Sequence, residues 1–128
     1  KIIAKDWENA FWEIPNTKSN HKERTEHPAQ FPIALAERCV LACSNENDWV
    51  FDPYAGVGTS LVAAIKQGRK AVGAEKEDCY VNIAKERIQS FYSGHLPYRP
   101  LGKPIYRPSG KTKISRIPEQ WKDEEGVY

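Results

Sequence analysis

Four residues in the middle of the sequence have the types and the spacing needed to bind a nucleoside. Asp52 opens the run 52–58, which carries Gly56 and Gly58, and Glu75 stands 23 positions beyond Asp52. Glycine has no Cβ, so a ligand can approach the backbone closely at those two positions. A carboxylate such as Glu75 can accept hydrogen bonds from both hydroxyls of a ribose. The chemistry that these residues suit is therefore the binding of a ribose-bearing ligand.

The spacing of the glycines argues against two common nucleotide motifs. No third glycine follows three positions beyond Gly58, as a dinucleotide fingerprint requires, and the chain has no Gly-Lys-Thr phosphate loop. A ligand with a ribose and no pyrophosphate fits better, and S-adenosylmethionine is the leading candidate. The alternative is that the two glycines only make a tight turn and that Glu75 is a surface acid.

The segments around these residues predict one strand–helix–strand unit. Trp49-Val50-Phe51 is a short apolar run that predicts a buried strand, and a second strand is predicted over 70–75. Between them lie the turn 52–58 and a helix predicted over 59–68. A strand, a crossover helix and a second strand imply a parallel pair and an α/β fold. Ligands of such sheets bind at the carboxyl ends of the strands, where the two carboxylates lie.

Further elements are predicted on either side of this unit. Pro32 suits the first turn of an upstream helix, and a downstream helix closes near Gly94. Helical spacing marks one face of the upstream helix by Phe31, Leu35, Cys39 and Ala42, and one face of the downstream helix by Tyr80, Ile83, Ala84, Arg87, Ile88 and Phe91. Thr59 or Ser60 is expected to cap the central helix and Gly68 to end it. A third strand is expected near 11–14.

Composition divides the chain into three zones. Residues 1–30 are a polar and aromatic segment, 31–94 the α/β core, and 95–128 a proline-rich basic tail. The apolar share of 40% suits one small folded domain, and no apolar run is long enough to span a membrane. The three cysteines are too few for a disulfide framework, so a cytoplasmic location is expected. Cys39 and Cys43 are expected to be buried thiols, and no metal site is expected.

Partners are less well defined by composition. A net charge of +2 neither requires nor excludes a nucleic acid. The basic stretch 99–116 suits either a contact with a DNA backbone or a solvated strap across the domain. Trp7 and Trp12 suit either the core or a contact with a partner.

Three ordered motifs resemble those of one known family, the amino-group DNA methyltransferases. The run Asp52-Pro53-Tyr54-Ala55-Gly56-Val57-Gly58-Thr59-Ser60 is similar to their cofactor motif DPFxGxGTT, with Tyr and Ser as mild departures. His27-Pro28-Ala29-Gln30-Phe31-Pro32 resembles the HPAxFP-type motif that precedes it in the permuted enzymes. The stretches 68–75 and 80–87 resemble their R-x-x-x-G-x-E…Y…A…R run, and the likeness covers about residues 25–92.

The resemblance implies a fold, a cofactor and roles by position. It implies part of a Rossmann-like, S-adenosylmethionine-dependent methyltransferase sheet that is incomplete without its other half. The segment 52–59 would line the methionine and sulfonium part of the cofactor, Glu75 would bind the ribose, and the loop 27–31 would close over both. The cofactor-binding residues it implies are His27, Pro28, Ala29, Phe31, Asp52, Pro53, Tyr54, Ala55, Gly56, Gly58, Thr59 and Glu75.

One motif of that family is absent from the sequence. The catalytic Asp/Ser/Asn-Pro-Pro-Tyr/Phe needs a Pro-Pro pair, and the chain has none. In the permuted order this motif would precede residue 1, and the chain also lacks methionine, so it resembles the C-terminal half of such an enzyme. No catalytic residue is therefore expected here.

The expected activity is transfer of a methyl group to adenine N6 or cytosine N4 of double-stranded DNA. Its expected partner is the missing catalytic half, in the same polypeptide or as a subunit, or else a second copy of the chain. The alternatives are a non-catalytic, orphaned module that binds DNA or protein and, disfavoured by the motif at His27, a small-molecule methyltransferase.

Overall fold

The computed structural model describes residues 12–18 and 20–105. Five elements follow one another along the chain: α1 (Ile33–Cys43), β1 (Trp49–Asp52), α2 (Thr59–Lys66), β2 (Lys70–Gly73) and α3 (Asp78–Tyr92). Trp7, position 11 and residues 106–128 lie outside the described part, and so do the expectations that concern them. None of the helices in the described part is both long and apolar enough to cross a membrane.

The two strands form the parallel pair that the sequence predicts. Trp49 pairs with Lys70 at one end of the ladder and Asp52 with Gly73 at the other. Helix α2 is the crossover between them, and this strand–helix–strand arrangement is a segment of a Rossmann-like α/β sheet. The core lies where α1 packs on α2, and it is built on Ile33, Ala36, Val62 and Ala63. Both strands end at the same edge, so the two loops that follow them are neighbours.

The central helix begins differently from the expectation. Gly58 is its N-cap, with φ +71°, and no side chain caps it. The Ser60 hydroxyl donates to the Asp52 carboxylate, and the Thr59 hydroxyl accepts from Arg87, so neither is available for capping. The prediction of a Thr59 or Ser60 cap is therefore wrong. Gly68 does end the helix, because its φ of +74° turns the chain so that the N–H of Arg69 reaches the carbonyl of Ala64 at 2.9 Å, while the N–H of Gly68 itself donates to the carbonyl of Ile65 at 3.0 Å.

Arg69 ties the ends of α1 and α2 together. Its Nε donates to the Ser44 hydroxyl at 3.0 Å, and its Nη2 donates to the Ser44 carbonyl at 2.7 Å. Its Nη1 donates to the carbonyl of Gln67 at 2.5 Å. Carbonyls at helix C-termini lack partners within the helix, and a guanidinium satisfies several at once. Arg69 thus fixes the turn that leads into β2.

The apolar stripe of α1 does not face the core. The residues that α1 buries are Ile33, Ala34, Ala36, Glu37 and Val40. Phe31, Leu35, Cys39 and Cys43 instead line an apolar groove of about 500 Å³ beside Trp49 and Val50 of β1. The expectation of buried thiols is wrong, because Cys39, Cys43 and Cys79 are all exposed.

Strand β1 is not buried either, although it forms where predicted. Trp49 is 68% exposed and Phe51 is 63% exposed. Within the described residues β1 pairs with β2 alone, so its other edge carries no strand. The expected third strand does not form at 12–14, where the chain is irregular and Trp12 lies against Arg38, with the guanidinium 5.4 Å from the ring centre. The apolar pattern of β1 is typical of a buried strand, but the described residues leave its side chains exposed.

Candidate functional site

Asp52 shapes the loop that follows β1. One carboxylate oxygen, Oδ1, accepts the backbone N–H of Tyr54 at 2.9 Å, and the other accepts the Ser60 hydroxyl. Its carbonyl accepts the N–H of Ala74 at 2.9 Å, which continues the ladder toward β2. The carboxylate and the backbone carbonyl of Asp52 therefore each accept a backbone N–H. The side chain closes a turn, as Asp side chains commonly do.

Glu75 joins the ends of the two strands. Its Oε2 accepts the backbone N–H of Gly56 at 2.8 Å. Its Oε1 accepts the N–H groups of Lys76 at 2.8 Å and Glu77 at 2.9 Å. The pKa of the Glu75 carboxyl lies below its ordinary value, and the hydrogen bond from the N–H of Glu77 is the largest cause. Desolvation raises the pKa by a smaller amount. The N–H groups of Gly56 and Lys76 and the nearby His27 lower it further. The side chain is ionised at neutral pH. Oε1 already accepts two N–H groups, whereas Oε2 accepts one and retains a lone pair for a ligand.

His27 covers the first glycine of the loop. A Cβ on Gly56, whose φ is +51°, would lie 3.3 Å from Nε2 of His27. The ring also meets Tyr80 edge-on, with 4.6 Å between the ring centres. Its Nδ1 accepts the N–H of Ala29 at 3.2 Å, so in the neutral ring the proton belongs on Nε2, the nitrogen that faces Gly56.

The loop that carries His27 is built around the buried side chain of Gln30. Its Oε1 accepts both the N–H and the hydroxyl of Thr25, each at 2.8 Å. The side-chain Nε2 donates to the backbone carbonyl of Glu23 at 2.6 Å, and the backbone carbonyl of Gln30 accepts the Thr17 hydroxyl at 2.6 Å. A buried amide with these partners fixes the path of the chain. The position of His27 is therefore set by its own loop.

Glu23 connects that loop to two distant segments. The side chain is 3% exposed. Its Oε2 accepts the N–H of Ile33 at the start of α1 at 2.9 Å, and its Oε1 accepts the N–H of Arg99 at 2.7 Å. A carboxylate at a helix N-terminus is favoured by the orphan N–H groups there. The histidine loop, α1 and the tail thus meet at one carboxylate.

Glycines bring the surrounding elements close to the loop. A Cβ on Gly58 would lie 2.9 Å from the Cβ of Ala84 in α3. A Cβ on Gly73 would lie 2.8 Å from the Cβ of Ala55. These approaches leave no room for another side chain, so the loop is held against both α3 and β2.

The structure brings together only part of the predicted set. His27, Gly56 and Glu75 adjoin, and Ala55, Gly58 and Thr59 of the same loop are buried. The side chain of Tyr54 is 89% exposed, Pro28, Ala29 and Pro53 are exposed, and Phe31 lines the groove beside β1. Sequence reasoning missed Glu23, Gln30 and Arg87 as contributors to the site. Arg87 did carry a signal, because an arginine occurs at an inward-facing position of an otherwise apolar helix face.

The comparison with known families agrees with the motifs. A family model described as DNA methylase, of the N6/N4 methyltransferase type, matches residues 3–86. The chain belongs to the N6/N4 DNA methylase family. The chain is 43% identical over 83 residues to the type II methyltransferase M.ScaI of Streptomyces caespitosus, a match that covers 62% of this chain and 27% of the relative. It is 36% identical over 109 residues to the DNA adenine methyltransferase YhdJ of Escherichia coli K12, covering 84% of this chain and 36% of YhdJ.

The chain thus spans about a quarter to a third of the length of these relatives. Among solved structures, it is similar to the M1.HpyAVI–SAM complex at 39% identity and a TM-score of 0.49, over 50% of this chain and 33% of that chain. It is also similar to TTHA0409 of Thermus thermophilus, a putative DNA modification methylase, at 34% identity and a TM-score of 0.47, over 71% of this chain and 43% of that chain.

Proposed function

We propose that the chain is the cofactor-binding portion of an S-adenosylmethionine-dependent DNA methyltransferase that modifies adenine N6 or cytosine N4. The observation that carries this proposal is the link between Glu75 and Gly56, at 2.8 Å. It places an ionised carboxylate and a left-handed glycine loop side by side at the carboxyl ends of two parallel strands. Ligands of α/β sheets bind at that edge.

The described residues fit this cofactor. Helix α2 has no side-chain cap, so the N–H groups of its first turn are left for a ligand. The remaining lone pair on Oε2 of Glu75 is suited to a ribose hydroxyl, the loop 52–59 to the methionine end, and His27 to closing the site over Gly56. When bound, S-adenosylmethionine supplies the methyl group from its sulfonium. The protein orients that group by holding the ribose at Glu75 and the loop backbone in a fixed conformation.

We further propose that the missing catalytic half covers the open side of β1. The groove beside β1 has a volume of about 500 Å³ and is lined by Phe31, Leu35, Cys39, Cys43 and Trp49, among others. Parallel strands are normally covered on both faces, and an uncovered strand edge promotes association. The longer relatives leave ample chain for this cover. A second copy of this chain is the alternative occupant.

Double-stranded DNA is the proposed substrate, and the cytoplasm the proposed location. For the described part of the tail, residues 96–105, a strap across the domain is favoured over a contact with DNA. The reason is that the Arg99 guanidinium donates to the carbonyls of Lys103 at 2.7 Å and Pro104 at 2.8 Å. The division into the segment 1–30, the core 31–94 and the tail 95–128 stays a proposal as well.

Calorimetric titration of the purified chain with S-adenosylmethionine tests the cofactor proposal. Binding that Glu75→Ala weakens would support it. A folded chain that does not bind would favour the orphaned module.

The cysteines test the proposed partner. All three thiols should react with an alkylating reagent in the isolated chain, because all three are exposed. A polypeptide carrying the catalytic Pro-Pro motif should protect Cys39 and Cys43, which line the groove, and leave Cys79 on α3 reactive. Equal labelling of all three in the mixture would contradict a partner in this groove. Protection in the chain alone at high concentration would indicate a second copy instead.

A further inference from the structure

Arg87 is a buried cation that extends from α3 to the loop after β1. The residue is 6% exposed, and its Nη1 donates to the carbonyl of Val57 at 2.5 Å and to the hydroxyl of Thr59 at 3.1 Å. Its Nη2 is buried, and no hydrogen-bond partner for it occurs among the described residues. Burial lowers the pKa of the guanidinium, and the carboxylate of Glu23 opposes that effect. Burying a cation in this way is costly, and the two hydrogen bonds of Nη1 offset part of that cost.

The hydrogen bond from Arg87 to Val57 satisfies a carbonyl of a buried residue. Val57 is 3% exposed and lies between Gly56 and Gly58, both with positive φ. In this left-handed turn the carbonyl of Val57 accepts a hydrogen bond from Nη1 of Arg87. Without the guanidinium, the carbonyl of Val57 would be a buried acceptor that lacks this hydrogen bond. Leaving a buried acceptor unsatisfied costs free energy and would destabilise this conformation of the turn. Arg87 therefore stabilises the turn in this one conformation.

The second contact determines how Thr59 can bond. The Thr59 oxygen accepts a hydrogen bond from Arg87, so the hydroxyl hydrogen is left free to donate elsewhere. A hydroxyl that accepts from a cation is a stronger donor, because the two hydrogen bonds polarise each other. Thr59 is also the first residue of α2, where the helix dipole favours a negative group.

We propose that Arg87 is a positioning residue for the methionine end of the cofactor, acting through Val57 and Thr59. This inference rests on the proposed function, because it assigns a role within the same site. It divides the site into two ends held by different groups: Glu75 fixes the ribose end through Gly56, and Arg87 fixes the methionine end through Val57 and Thr59. The carboxylate of an amino-acid moiety is the chemical group that a polarised hydroxyl and a helix N-terminus would receive.

The test uses two ligands, of which only the first carries that moiety. S-Adenosylmethionine and 5′-methylthioadenosine share the adenine and the ribose, but the second has neither the amino-acid part nor the positive charge of the sulfonium. Both are titrated calorimetrically into the full 128-residue chain and into the variants Arg87→Met, Arg87→Lys and Thr59→Val. Lys85→Met serves as the matched control, because Lys85 is exposed on the same helix.

The expected result is a selective loss. Arg87→Met and Thr59→Val should weaken binding of S-adenosylmethionine by about tenfold or more, the effect of losing one hydrogen bond to a charged group. Binding of methylthioadenosine should change by less than about twofold. Arg87→Lys, which keeps the charge, should fall between the wild type and Arg87→Met, and the control should match the wild type.

Two results would overturn the inference while leaving the proposed function intact. Equal weakening of both ligands would mean that Arg87 supports only the fold, and unchanged affinity for S-adenosylmethionine would mean that it has no role at the site. If Arg87→Met does not fold, Arg87→Lys and Thr59→Val decide the matter by the same comparison. A wild-type chain that binds neither ligand would instead overturn the proposed function.

Discussion

The carboxylate of Glu75 accepts a hydrogen bond from the backbone N–H of Gly56 at 2.8 Å, so a residue two positions beyond β2 directly holds the loop after β1. The two residues are 19 positions apart in the sequence. Their link explains why an acid at the end of the second strand and a glycine after the first belong to one site. The same carboxylate also orders its own turn through Lys76 and Glu77.

Replacing Glu75 by Gln should selectively remove the recognition of ribose hydroxyls. The wild-type chain should bind 5′-methylthioadenosine about tenfold or more tighter than its 2′,3′-dideoxy analogue. The analogue lacks the ribose hydroxyls and so cannot donate a hydrogen bond to the charged carboxylate. Glu75→Gln should bind both equally. Glu77→Gln is the matched control, because only the backbone of Glu77 contacts Glu75. A Glu75→Gln variant that still discriminates would assign the hydroxyls to another residue.

Low pH should weaken the contribution of Glu75 only below the ordinary carboxyl range. The N–H of Glu77 is the main cause that lowers the pKa of the folded Glu75 below 4.5. A depressed pKa means that the ionised side chain stabilises the fold above the unfolded value, and that this contribution is lost as pH falls through the folded value. The difference in urea midpoint between wild type and Glu75→Gln should therefore persist at pH 5 and disappear at lower pH. A difference that vanishes above pH 5 would contradict this assignment.

Gly58 should tolerate an alanine less well than Gly94 does, although both have positive φ. Nothing lies within 4 Å of a Cβ on Gly94, whose φ is +76°, so Gly94→Ala should cost about 1 kcal/mol of backbone strain. Gly58→Ala adds a contact of 2.9 Å with the Cβ of Ala84 and should cost about 2–4 kcal/mol. Urea unfolding measures both.

The double variant Gly58→Ala, Ala84→Gly checks the cause of that difference. Removing the Cβ of Ala84 should recover the steric part of the loss, less the cost of a helical glycine, about 1 kcal/mol. Losses that simply add would show that contact with α3 is not the cause.

A side chain at Gly56 should prevent cofactor binding by displacing His27. The new Cβ would lie 3.3 Å from the imidazole, and a φ of +51° disfavours a branched residue. Gly56→Val should therefore abolish calorimetric binding of S-adenosylmethionine, and the His27 ring resonances should shift in the NMR spectrum. Retained binding with an unmoved His27 would refute this account of the loop.

Local pattern was enough to predict the helices, the parallel strands and the turn at Gly68. It also indicated Glu75 and the glycine loop, because ligand chemistry and strand ends constrain both. Burial could not be predicted in the same way. The apolar stripe at Phe31, Leu35 and Cys39 has the pattern of a core face, yet its cover does not come from the described residues.

The supports of the site were hidden for a related reason. Gln30, Glu23 and Arg87 act across separations of up to 76 residues, and local periodicity carries no information about such pairs. The helix cap was missed because Ser60 forms a tertiary bond to Asp52 in preference to the local one.

The single carboxylate of Glu23 also sets where this protein can be shortened. Because Arg99 supplies one of its hydrogen bonds, truncation before that residue would leave a charged oxygen buried without that partner. The disturbance would spread along the chain to Gln30 and the imidazole loop, far from the cut. The described residues from Glu23 to Arg99 are therefore linked to the cofactor loop as one folding unit, and an expression boundary inside that unit would damage the site without touching it.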